Sequence, residues 1–139
     1  MSLSYQIYKS HLNPEEVVVH LRRAVSKRNL VEYAVVDHRK DMLERHVTNP
    51  PWAYSVIFGS PVAGAKFMEK ALTAVADMPV RLGVYGDKDG STIAYHTMSS
   101  LLQAHHADLN QAGQAIDQLV KELCDESEAK LSEETMPHS

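Results

Sequence analysis

His38, next to Asp37 at the end of an apolar run, is the side chain of this 139-residue chain best suited to acid–base work, because an imidazole changes charge near neutral pH. The simpler account is a histidine that caps the next helix or pairs with a backbone group. Ser60 follows Gly59 and precedes Pro61, the pattern of a helix start, and the free amides and positive dipole end of a helix N-terminus suit an anion. A Ser-Pro helix start also explains Ser60 without a ligand. It is not a nucleophile elbow, since Pro61 has no N–H to offer an oxyanion. Gly59 and Gly64 match neither a G-x-G-x-x-G nor a P-loop. Tyr95 and Trp52 are aromatic candidates for a pocket wall, although a buried aromatic usually belongs to the core.

Eight histidines raise the question of a metal. His105 and His106 are adjacent and would point about 100° apart on a helix, and no H-x-x-x-H or H-E-x-x-H occurs, so no metal site and no cofactor are expected. Cys124 is the only cysteine, which excludes an internal disulfide. Its acidic neighbours Glu122 and Asp125 oppose thiolate formation.

Charge is distributed unevenly. Residues 125–139 hold five acidic side chains against Lys130, which accounts for the whole net charge of −4, while the body carries 13 basic and 13 acidic residues. That balance offers no field for nucleic acid, whose binding requires many neutralised phosphates. The cluster Arg22, Arg23, Lys27 and Arg28 reads as a solvated helix face, with a small anion-binding patch as the alternative. No apolar run approaches the roughly 20 residues of a membrane span. MSLSYQIYKS has no basic region followed by an apolar stretch, so cytoplasm is the expected compartment.

These candidates need elements to hold them. SYQIY at 4–8 reads as a first strand, and Asn13, Pro14 and Glu16 form a capping box opening a helix over 14–28. NLVEYAVVDH at 29–38 is a second strand, followed by a short polar helix near 39–46 that stops at Asn49-Pro50-Pro51. YSVIFG at 54–59 is a buried strand, with a helix over 61–75 starting at Ser60. PVRLGVYG and STIAYH form a hairpin about the turn at Asp87–Gly90. Further helices are expected near 98–107 and 115–123. One α+β domain over 1–124 is expected, a curved sheet of about five strands with helices on one side. The acidic stretch 125–139 is read as a mobile tail, dispensable for folding.

VVDH at 35–38, VIFGSPVAGAKFM at 56–68, DMPVRLGVY at 77–85, DKDGSTIAY at 87–95 and SSLL at 99–102 occur in this order over about residues 4–107. Together they resemble the family called domain of unknown function 302. Members usually carry Asn at the position of Ser60, Thr at that of Ala65 and Leu at that of Met78. The resemblance implies an α+β fold with helices on one side of a curved sheet, often as a dimer, and implies no activity. The helix after 108 and the acidic tail fall outside its pattern.

Three readings follow. The first is a module for a small or anionic ligand, with Ser60, Gly59 and Tyr95 as binding candidates; the second is an enzyme with His38 as general acid or base. The third is a structural homodimer, suggested by apolar side chains on both faces of the strands. The first two require the ends of strands at His38 and Gly59 to meet near Tyr95.

Overall fold

The computed structural model describes residues 4–133. Among the described residues six strands form one open sheet: β1 (Tyr5–Ser10), β2 (Val31–Asp37), β3 (Trp52–Gly59), β4 (Val80–Asp87), β5 (Gly90–His96) and β6 (Ala129–Ser132). Their order is β2-β3-β4-β5-β1-β6, and every neighbouring pair is antiparallel. The α-helices of the described residues are α1 (Pro14–Lys27), α2 (His38–Glu44), α3 (Pro61–Lys70), α4 (Met98–Gln103) and α5 (Asn110–Glu126). The fold is α+β with the helices on one side. Among the described residues no helix is long and apolar enough to cross a membrane.

Strand alternation decides which residues enter the core. Val56 and Phe58 of β3, Leu82 and Val84 of β4, Ile93 and Tyr95 of β5 and Tyr8 of β1 point to the helices and are buried. α1 meets them with Val17, Leu21, Ala24 and Val25, and α5 with Val120, Leu123 and Cys124. The capping box at the start of α1 forms as the sequence predicts: Asn13 Oδ1 accepts from the Glu16 amide at 2.9 Å, and Glu16 Oε1 from the Asn13 amide at 3.3 Å.

Several boundaries differ from the sequence expectations. The helix expected over 61–75 stops at Lys70 and continues as a 3-10 turn over Leu72–Asp77, which leads into the cis Met78–Pro79 peptide. The helix expected near 98–107 closes at Gln103, and α5 begins five residues before the expected start and reaches Glu126. The sheet has a sixth strand because the acidic segment does not hang free: Tyr8 pairs with Leu131 and Ser10 with Ala129, whose side chain is fully buried. The expected tail from 125 is therefore corrected over 125–132; residues 134–139 lie outside the described residues.

Candidate functional site

The Phe58-Gly59-Ser60-Pro61 turn converts the end of β3 into α3. Ser60 Oγ accepts from the Ala63 amide at 3.2 Å and so caps the helix. A Cβ at Gly59 would lie 3.2 Å from Cβ of Pro79 and 3.6 Å from Cε2 of Tyr33. The glycine thus lets β3 close against its neighbours. The same turn lifts α3 off the strand ends and leaves a cavity of about 650 Å³ beneath it. Its walls come from α3 (Ala63, Phe67), the strand ends (Phe58, Val80) and α5 (Ile116, Leu119). Met68, Met78 and Met98 also line it, and flexible thioethers of this kind adapt to irregular occupants. Arg81 is the sole charged residue among the lining residues; Tyr33 and Ser60 carry the other polar side chains.

A second, smaller cleft of about 440 Å³ opens on the other face of the sheet. Its floor is a row of short side chains, because Ser55 of β3 pairs with Gly83 of β4, which pairs with Ala94 of β5. Tyr5, Asp77, Arg81 and His96 stand around it. His96 stacks on Tyr5 with ring centroids 4.5 Å apart, and its buried Nε2 has no hydrogen-bond partner. Burial lowers its pKa below the ordinary histidine value, and the charge of Asp77 opposes that shift. Asp77 itself accepts from, or shares a proton with, His105 Nε2 at 2.6 Å, while His105 Nδ1 bonds Thr73 Oγ1 at 2.9 Å. That bridge pins the 3-10 turn, which forms part of both cavity walls, to the end of α4.

The four residues singled out in the sequence do not converge. His38 Nε2 lies 2.8 Å from Ser55 Oγ, and Ser55 precedes Gly59 by four strand residues, roughly 13 Å at 3.3 Å per residue. Gly59 and Ser60 line the apolar cavity, whereas His38 and Tyr95 do not. Tyr95 is 1% exposed and gives its hydroxyl to Asp117 in the core. Burial, and then that bond to a carboxylate, raises its pKa. Trp52 is exposed at the start of β3, with the Arg39 guanidinium 4.2 Å over its ring. Cys124 is fully buried and its pKa is pushed up to about 12, mainly by desolvation, which makes it inert.

Sequence reasoning missed Ser55 and Arg81. Ser55 could have been found as the polar member of an otherwise apolar strand. Nothing local distinguishes Arg81 from any outward-facing residue of a hairpin. Among the described residues no group of three or more His, Cys, Asp and Glu side chains is arranged to hold a metal ion. His38 and Ser55 have the contact of a base and nucleophile, yet β3 is paired on both sides. The amides near Ser55 are spent in the ladder, leaving no backbone donors for an oxyanion.

The fold has known counterparts. A solved structure described as an uncharacterized conserved protein DUF302 from Bacillus stearothermophilus matches with a TM-score of 0.81 over 91% of this chain and 99% of that one, at 12% identity. Likeness at that identity concerns the fold alone. No curated protein matches the chain. The family model described as "Domain of unknown function DUF302" matches residues 6–126. The match takes in α5, beyond the 4–107 that the sequence motifs cover, so the helix after 108 is part of the pattern. The chain belongs to the domain of unknown function 302 family.

Proposed function

We propose that this protein is a small-ligand-binding module whose ligand occupies the apolar cavity beneath α3. The observation that carries the reading is the cavity itself: about 650 Å³, within the roughly 300–1,000 Å³ of small-molecule sites, with apolar walls and few polar groups. Val75, one of its lining residues, is 60% exposed. Apolar surface of this kind favours the arrival of an apolar guest. Ser60 Oγ caps α3 by accepting from the Ala63 amide, and the apolar walls of the cavity point to an apolar guest. Titration with Nile red, an uncharged apolar dye, tests the reading. A saturable fluorescence rise that Ala63→Trp removes, with the thermal midpoint retained, is expected. A dye response that does not saturate, or that survives filling of the cavity, defeats it.

A second reading, a homodimer through the helix-free face of the sheet, is favoured by one observation: Tyr5 and Tyr85 on that face are 45% and 48% exposed. Light scattering at micromolar concentration distinguishes a mass near 15.5 kDa from twice that.

A further inference from the structure

On the helix-free face of the sheet, Ile57 of β3 pairs with Arg81 of β4, and Tyr5 of β1 pairs with His96 of β5. Leu82 pairs with Tyr95, so Arg81 and His96 are the next residues outward on adjoining strands. Val80, Leu82 and Tyr95 enter the core. Strand alternation therefore turns Arg81 and His96 out together, into the cleft of about 440 Å³ that both line. Arg81 is exposed, and among the described residues its guanidinium pairs with no carboxylate, whereas Arg22 is held by Glu32 and Arg28 by Glu126. The buried Nε2 of His96 likewise has no partner. Burial favours the neutral ring, and a neutral imidazole with its proton on Nε2 donates from that atom. Two unspent donors, one of them charged, thus stand beside a floor that Gly83 and Ala94 keep low. Met78, Pro79 and Leu101 give the cleft an apolar edge, and Asp77, tied to His105 at 2.6 Å, is the one carboxylate among its described lining residues. Ser55, at the far end of the floor, is already bonded to His38.

We propose that this cleft binds a small, flat monocarboxylate, with its carboxylate at Arg81 and His96 and its apolar body on the Gly83–Ala94 floor. The site does not rest on the cavity beneath α3, which lies on the opposite face. A guanidinium fork matches the two oxygens of a carboxylate, and a carboxylate oxygen is the acceptor that His96 Nε2 lacks. Gly83 and Ala94 carry nothing larger than a methyl group to hold a flat body off the sheet, and Tyr5 supplies an aromatic neighbour. Charge decides between anions. Arg81 brings one positive charge, a neutral His96 brings none, and Asp77 opposes a second negative charge on the ligand. A carboxylate is therefore favoured over a phosphate dianion.

The test titrates the ¹⁵N-labelled full chain near neutral pH with benzoate, benzyl alcohol, benzamidine and inorganic phosphate. Benzoate is expected to give saturable shifts at amides 81–83 and 94–96 and to bind roughly tenfold or more tightly than benzyl alcohol, the increment of a charged over a neutral hydrogen bond. Benzamidine and phosphate should bind more weakly than benzoate. Arg81→Gln should bring benzoate down to the affinity of the alcohol, and Arg81→Lys should restore part of the difference. His96→Phe keeps an aromatic ring against Tyr5 and removes Nε2, and should weaken benzoate several-fold; an unchanged affinity overturns the place of His96 in the site. If the alcohol, benzamidine or phosphate binds as tightly as benzoate, or if Arg81→Gln leaves benzoate binding unchanged, the monocarboxylate assignment is overturned. Shifts confined to 61–68 and 116–119 would move benzoate to the apolar cavity, overturning the cleft site while the function proposed above stands. Absence of saturable shifts with benzoate overturns the cleft site outright.

Discussion

Asp117 and Tyr95 share a hydrogen bond of 2.5 Å that closes the core at the end of β5. The same carboxylate oxygen accepts the Met98 amide at 2.9 Å, and the other takes the Ser99 hydroxyl at 2.5 Å. Thr97, at the N-cap of α4, makes no side-chain bond to the helix amides. A carboxylate from α5 therefore supplies the cap for α4 and places negative charge at its positive end. This is why Tyr95 serves the fold and not the cavity.

Replacing Asp117 by Ala strands the hydroxyls of Tyr95 and Ser99 and leaves the Met98 amide only the Tyr95 oxygen at 3.0 Å. Each such loss costs about 1–3 kcal/mol, and at this chain length 1 kcal/mol shifts the thermal midpoint by roughly 3 °C. A fall of about 10 °C is expected for Asp117→Ala. Tyr95→Phe should fall by less, because Asp117 keeps the Met98 and Ser99 donors. Equal losses in the two variants by thermal denaturation would contradict the capping role.

The last strand gives a second outcome. Ala129 is fully buried and β6 covers the edge of β1 along Ile7–Ser10. Removing residues 128–139 should lower the midpoint by well over 5 °C, from lost ladder bonds and a newly exposed strand edge. A midpoint within 2 °C of the full chain would show that β6 contributes nothing to stability.

Much of the frame is legible in local patterns. Asn13-Pro14-x-Glu16 opens α1 where it should, Ser60-Pro61 opens α3, and the Asp87–Gly90 turn closes the β4–β5 hairpin. These are local signals whose physics involves residues only a few positions apart. β6 is not legible, since Ala-Lys-Leu-Ser has no β-branched run and lies among acidic residues; its pairing partner is over 100 residues away in β1. The cavity is illegible for the same reason. Gly59, Arg81 and Ile116 come from three separate elements, and only the tertiary fold makes them neighbours. His38 stands out in the sequence for its chemistry, but its partner Ser55 follows from the register that sets Val36 opposite Ser55.

Gly113 sits near the start of α5, where alanine would ordinarily stabilise a helix by up to about 1 kcal/mol. Here the sign reverses. An added Cβ would lie 2.4 Å from the Cα and 2.7 Å from the amide nitrogen of Ser99. These are backbone atoms and cannot rotate away, so α4 and α5 would have to separate. Gly113→Ala should destabilise by about 1–3 kcal/mol, the usual cost of overpacking, as measured by urea denaturation. A gain in stability would show that the close approach of the two helices is not maintained.

His96 supplies the pH dependence. Its pKa in the folded chain lies below the ordinary value near 6.5, first because of burial, with Asp77 working against the shift. The unfolded chain therefore binds a proton at His96 more readily than the folded one. Stability from this group is fully present above about pH 6.5 and is lost as pH falls through that value towards the folded pKa. The wild type should lose thermal stability between pH 7.5 and pH 5, and His96→Gln, which removes the titrating ring, should lose less over the same interval. The comparison isolates His96 because the two proteins differ at that residue alone. Parallel curves for the two proteins would mean that His96 protonates equally well folded and unfolded, and that the ring stacked on Tyr5 is not kept from water.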